Sequence, residues 1–227
     1  MELRIESART TRDIDLSMRY PILVGDNKEK QNLSILKMLQ NAADRDLADY
    51  FVYRVGSPKM DLDAAPYGGA RFPVSAIMDG RSFTSFHLDI GIGDVVTEPF
   101  EVLSGENWLE FAAISAGEFL AISKEAQFAE KLHAYTLPRR ERANSRVRDL
   151  VDMVLLINKG DLDDNHLRDA ILKTFKRRAT HPIPKVIPDP PEFWTTVYQD
   201  MADECGLSVD IEDGLESVSQ YFNRLGL

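Results

Sequence analysis

The chain has 227 residues, 44% apolar and 28% charged, with a formal net charge of −10 at pH 7. That composition is ordinary for a globular protein; no apolar run approaches the ~18 residues of a membrane span; and a single cysteine, Cys205, excludes an internal disulfide and suits a reducing cytoplasm. The acidic balance argues against broad nucleic-acid binding, although two basic runs, "PRRERANSRVR" at 138–148 and "KTFKRRATH" at 173–181, read either as solvated helix ends or as a phosphate-facing rim.

In chain order, "DIDLSM" at 13–18 alternates acidic and apolar residues and predicts a strand, and "NLSILKMLQNAADRDLADYF" at 32–51 has helical spacing. "FVYRV", "RFPVSAIM" and "SFTSFHLDIGI" carry the β-branched and aromatic content of strands, with "GGAR" and "MDGRS" as turns between them. From about residue 105 the periodicity becomes helical. "SKEAQFAEKLHAYTL" has Ser123 as its N-cap; "NSRVRDLVDMVLLINKG" is capped by Asn144 or Ser145 and closed by Gly160; "DDNHLRDAILKTFKRRA" follows. The five prolines of "HPIPKVIPDPP" force an extended connector, and "PEFWTTVYQDMADEC" and "IEDGLESVSQYFNRL" complete the helices. The expected architecture is α+β: a mixed-sheet lobe over 1–105, then a helical lobe over 106–227 with a proline-rich connector at 179–191.

Side chains on a strand repeat every second residue, so Asp13 and Asp15 share one face. Paired like charges call for a cation or an arginine beside them, and all-oxygen ligands suit Mg²⁺ or Mn²⁺. In "FHLDIG", Asp89 alternates with Leu88 and Ile90 and joins the same acidic face if the two strands are neighbours. Spacing alone does not rank this pair above Asp61 and Asp63 of "KMDLDA", while Asp161 and Asp163 look like a helix start and "GIGD" like a strand-end turn. On the helices, Asp149 and Asp152 are three residues apart and share a face, and Arg148 stands four from Asp152 and could pair with it. Lys131 reads as a solvated i,i+4 partner of a neighbouring acid, and His133 as a helix-surface or packing residue rather than a metal ligand.

Taken in order, "RTTRDIDL", "GGARFPVSAIMDGRSFTSFHLDIGIGD", "QFAEKLHAYTLPR" and "NSRVRDLVDMVLL" resemble the AbiEii/AbiGii family of nucleotidyltransferase toxins over roughly residues 1–160. The resemblance implies a DNA-polymerase-β-like nucleotidyltransferase fold with an appended helical domain. It further implies a cytoplasmic, metal-dependent enzyme of toxin–antitoxin or abortive-infection type. Such an enzyme uses an NTP, has an acceptor such as a tRNA 3′ end, and is encoded beside a separate antitoxin. By this likeness Asp13, Asp15 and Asp89 hold Mg²⁺ or Mn²⁺, and Asp89 takes the acceptor proton. Lys131 steadies the nucleotide phosphates, Asp149 is the acidic residue of the R-D-x-x-D block, and Arg148 and Asp152 assist in nucleotide binding.

The family normally carries a glycine-rich G-G or G-S element shortly before D-x-D, whose amides cradle the triphosphate. Here "MELRIE" matches the end of the helix that follows that element, which would then lie upstream of Met1. The expectations are a weakly active chain and an apolar surface exposed on its first strand. The alternative class is a non-catalytic protein of the same fold with an interaction role.

Overall fold

The structure, a computed structural model, describes all residues except 12, 19–26, 62–65, 95, 97 and 140–143. Arg12, Asp63, Arg140 and Arg142 of the sequence motifs lie outside the described residues. The chain divides into two compact units: residues 11–96 with 107–116, and residues 1–10, 97–106 and 117–227.

The first unit is built on a sheet. Strand β1 (Asp13–Met18) is followed by helix α1 (Lys28–Ala43) and strands β2 (Phe51–Val55), β3 (Met60–Asp61), β4 (Gly69–Met78) and β5 (Arg81–Ile92). The strand order is β1-β5-β4-β2, with β3 also on β4. β1 runs parallel to β5 and the other pairings are antiparallel. One face carries Val55, Ala70, Phe72, Val74, Ile90 and Ile92, packed with Ile35 of α1. Ile14 and Leu16 on β1 are 45% and 44% exposed, matching the apolar first strand expected from the sequence.

The helix in this unit differs from the expected span of 32–51. It starts earlier, because the Asn27 side chain accepts a hydrogen bond from the Lys30 amide as N-cap, and it ends at Ala43. Beyond it, Asp46 and Asp49 accept hydrogen bonds from the amides of Ala48 and Phe51. Such local side-chain bonds compete with helix, and Ala48 and Tyr50 adopt positive φ.

β4 and β5 form a hairpin whose two-residue loop, Asp79–Gly80, has positive φ at both positions, the conformation Asp-Gly favours. Beside the loop Met78 pairs with Arg81 and Ile77 with Ser82, but Ala76 pairs with Thr84. Phe83 is therefore an extra residue, a β-bulge.

The second unit contains a hairpin of β6 (Phe100–Ser104) and β7 (Glu118–Ile122), then α2 (Lys124–Thr136), α3 (Val147–Lys159), α4 (Asp164–Arg178), α5 (Thr195–Glu204) and α6 (Ile211–Arg224). The hairpin does not appear in the sequence reading: β6 lies before residue 105 but outside the strands read there, β7 falls where helical periodicity is expected, and each strand is only five residues. Ser123 and Asp163 cap α2 and α4 through their side chains. α3 begins later than its expected caps, although Asn144 still accepts a hydrogen bond from the Arg146 amide. Val147, Leu150, Val151, Met153, Val154, Leu155 and Leu156 of α3 are all buried, so α3 is the central helix of the unit. The proline-rich connector is pinned rather than loose: Ile187 is buried and the Tyr135 hydroxyl donates to the Pro188 carbonyl at 2.8 Å. No helix among the described residues is long and apolar enough to cross a membrane.

Candidate functional site

Two clusters of charge stand out, one in each unit. In the sheet unit, β1 and β5 are paired in parallel register with Asp15 opposite Asp89 and Asp13 opposite His87. Directly paired residues share a face, so Asp13, Asp15 and Asp89 lie together on the side away from the apolar core. The alternation that buries Ile90 and Ile92 is what turns Asp89 outward, yet its residue is only 8% exposed.

What covers Asp89 is Arg71, its partner across β4 and β5. Arg71 Nε donates to Asp89 Oδ1 at 2.7 Å and a terminal nitrogen donates to Oδ2 at 2.6 Å, a two-pronged fork. The same terminal nitrogen lies 3.6 Å from Asp13 Oδ2, and His87 Nδ1 lies 3.2 Å from Asp13 Oδ1. The Arg71 guanidinium is held protonated above its ordinary range, first by the hydrogen bond to Asp89. Sequence reasoning missed Arg71, although a signal existed: it stands between Ala70 and Phe72 of the buried alternation Ala70, Phe72, Val74, which puts it on the opposite face.

Hard divalent cations need several oxygens converging on one point. Both Asp89 oxygens are engaged by Arg71, and among the described residues no three His, Cys, Asp or Glu side chains are grouped to hold an ion. As arranged, the three carboxylates do not fit a metal; a guanidinium pairs with Asp89 and approaches Asp13 instead. Of the rival pair, Asp61 closes the two-residue strand β3 and Asp63 lies outside the described residues.

In the helical unit, Lys131 on α2 faces α3. Its Nζ donates to Asp152 Oδ2 at 2.6 Å and lies 3.8 Å from Asp149 Oδ1. Arg9 donates to the same Asp152 oxygen at 3.0 Å, and Arg146 stands 3.6 Å from Asp149 Oδ2. Asp152 is fully buried, and its Oδ1 is among the buried side-chain atoms without a hydrogen-bond partner. Burial pushes the Asp149 carboxyl above its ordinary range, a rise opposed by Lys131 and Arg146.

Two expectations change here. Lys131 is not a solvated partner: its side chain is 16% exposed and engaged. Asp152 pairs with Arg9 and Lys131 rather than with Arg148, which is exposed and makes no ion pair among the described residues. Arg9 is a partner that spacing could not supply, being 143 residues from Asp152. Of the basic run, Arg139 has a buried Nε without a hydrogen-bond partner, and Arg146 is exposed.

His133 packs as a core residue. Its Nε2 lies 2.8 Å from Thr180 Oγ1, and its ring stands 5.0 Å from Phe175 and 4.7 Å from His181. Burial, with the nearby His181 and Arg178, lowers its pKa to about 4.

A family model described as nucleotidyl transferase AbiEii toxin, of type IV toxin–antitoxin systems, matches residues 1–224. Among solved structures, the chain is similar to MenT4, a nucleotidyltransferase toxin from Mycobacterium tuberculosis H37Rv. The identity is 17% and the TM-score 0.54, covering 99% of this chain and 81% of that one, a likeness of fold. No curated protein matches the chain.

Proposed function

Because its match to the AbiEii model runs through residues 1–224, the chain belongs to the AbiEii nucleotidyltransferase toxin family of type IV toxin–antitoxin systems, and from that premise we propose that it transfers a nucleotide from an NTP to an acceptor hydroxyl such as that of a tRNA 3′ end. The observation that supports this reading is the juxtaposition of Asp13, Asp15 and Asp89 on one sheet face, with Asp15 and Asp89 opposite each other.

In the proposed reaction the acceptor oxygen attacks the α-phosphorus. A phosphorus–oxygen bond forms, the bond to the β-phosphate breaks, and pyrophosphate leaves with the electron pair. Asp89 accepts the hydroxyl proton, which requires one of its oxygens to leave the Arg71 fork. Lys131 places positive charge on the phosphates, with Arg148, Asp149 and Asp152 as further nucleotide-binding residues. Transfer of this kind depends on positioning and charge stabilisation more than on covalent chemistry.

Mg²⁺ or Mn²⁺ at Asp13, Asp15 and Asp89 belongs to the proposal as the cofactor the family likeness implies. The Arg71 fork does not fit it, so no step is assigned to a metal. A separately encoded antitoxin and a cytoplasmic location also belong to the proposal. The interaction-only reading has one observation in its favour: Lys131 and Asp89 are already engaged in ion pairs within the protein.

The test is transfer of a labelled nucleotide to RNA by the wild type and by Asp13→Asn with Asp15→Asn, and Asp89→Asn. Loss of transfer, by roughly 10²-fold or more in each variant as for other removed charge-stabilising groups, supports the reading. Equal transfer in all three proteins overturns the site.

A further inference from the structure

The sheet carboxylates already possess a cation, and it is part of the chain. The Arg71–Asp89 contact uses two parallel hydrogen bonds, the strongest and most directional form of an arginine–carboxylate pair. The same guanidinium approaches Asp13, so one side chain answers two of the three carboxylates. Both partners are fixed by backbone register, since Arg71 and Asp89 are paired across adjacent strands. A planar, weakly hydrated guanidinium suits this half-buried position better than an ammonium would.

We infer that Arg71 is the resident counter-cation of the Asp13–Asp15–Asp89 face, and that a divalent cation reaches these carboxylates only by displacing the Arg71 guanidinium. A divalent cation and the guanidinium compete for the Asp89 oxygens: the fork engages both, and like charges a few Å apart repel. Without the guanidinium, three carboxylates on adjacent strands repel one another. The sheet then needs a cation from solution. This rests on the proposed function only for the expectation that a metal comes to this face; the contact itself is independent of any reaction.

Free Mn²⁺, followed by its electron paramagnetic resonance signal, and thermal unfolding in chelator or in Mn²⁺ test it without nucleotide. Arg71→Met is expected to bind free Mn²⁺ more tightly than the wild type by about tenfold or more, the order of effect of removing a like charge from within about 4 Å of a cation. Its melting temperature falls in chelator and recovers in Mn²⁺, whereas the wild type responds little. Arg71→Met with Asp89→Asn loses the gain. Arg71→Lys keeps the charge without the fork and falls between the two; if Arg71→Met is insoluble in both conditions, this variant decides. Equal Mn²⁺ affinity in wild type and Arg71→Met, or in wild type and Arg71→Lys where that variant decides, overturns the inference. So does a gain that survives Asp89→Asn. Absence of nucleotide transfer alongside the expected Mn²⁺ behaviour would sink the catalytic reading alone.

Discussion

The ammonium of Lys131 lies 2.6 Å from the carboxylate of Asp152, which is fully buried between α3 and its neighbours. Arg9 holds the same oxygen at 3.0 Å, so two cations converge on one buried acid. Removing one member of a buried ion pair leaves an uncompensated charge, at a cost of about 3–5 kcal/mol. Asp152→Ala is therefore expected to lower stability by that order in chemical denaturation. Lys131→Met should cost less, because Arg9 remains. A denaturation midpoint unchanged by Asp152→Ala would show that the cluster contributes nothing to folding.

Asp149 should behave oppositely. Burial raises its folded pKa above the ordinary carboxylate value of 3.8. The unfolded chain therefore releases this proton more readily than the native one, and Asp149 weakens the fold progressively as pH rises through that range. Asp149→Asn removes the charge and keeps the shape. Its unfolding free energy is expected to equal or exceed that of the wild type at pH 7, with the difference shrinking toward pH 4. Clear destabilisation at pH 7 would mean that Lys131 and Arg146 outweigh burial.

His133 makes the helical unit sensitive to acid. Its folded pKa is lowered from 6.5 to about 4, mainly by burial. Between those values the unfolded chain takes up a proton that the native one refuses. The contribution is complete above pH 6.5, falls as pH drops toward 4, and amounts to at most about 3 kcal/mol. His181, whose pKa is also lowered by burial, adds a change of the same sign. His133→Gln should flatten the dependence of melting temperature on pH between 4 and 6.5; an equally steep profile would place the sensitivity elsewhere.

Gly214 tests the packing of α6. A Cβ there would lie 2.1 Å from the Tyr198 hydroxyl oxygen and 3.4 Å from Val154. Tyr198 is fully buried, so yielding to the Cβ means shifting a side chain within the packed core. Despite the better helix propensity of alanine, Gly214→Ala is expected to cost about 1–3 kcal/mol, as overpacking of cores does. A Gly214→Ala, Tyr198→Leu double variant no less stable than Tyr198→Leu alone would confirm that the end of the Tyr198 side chain, ring carbon as well as hydroxyl, is the obstacle.

How much of this could be read from the residues follows from what each element depends on. Strand β5 was legible because Leu88, Ile90 and Ile92 alternate with His87, Asp89 and Gly91. The caps Ser123 and Asp163 were legible because capping acts over three residues. The end of α1 was not, since Asp46 and Asp49 bond to the backbone only once the chain has turned. The acidic face was legible as an if: Asp89 joins Asp13 and Asp15 only when β5 lies beside β1, a pairing of distant segments. Arg9 and Arg71 were missed for the same reason, because their partners are set by topology rather than spacing.

The bulge at Phe83 sets the phase of everything beyond it. Continued without interruption from the Asp79–Gly80 loop, the pairing of Met78 with Arg81 and Ile77 with Ser82 would bring Asp89 opposite Ala70, and Leu88 opposite Arg71. Ala70 belongs to the buried face, so the carboxylate would point into the core and a leucine into the acidic cluster. One supernumerary residue thus acts as a half-turn of the strand, exchanging inside for outside seven residues before Ile90. Deleting Phe83 would abolish the bulge and leave Thr84 opposite Ala76 and Asp89 opposite Arg71, whereas a hairpin that kept Phe83 but paired it with Ala76 would put that carboxylate on the wrong side of the sheet. A residue added to or removed from β5 between Thr84 and Asp89 turns that carboxylate inward unless a second bulge absorbs the change, while changes by pairs of residues leave the inside and outside of β5 as they are.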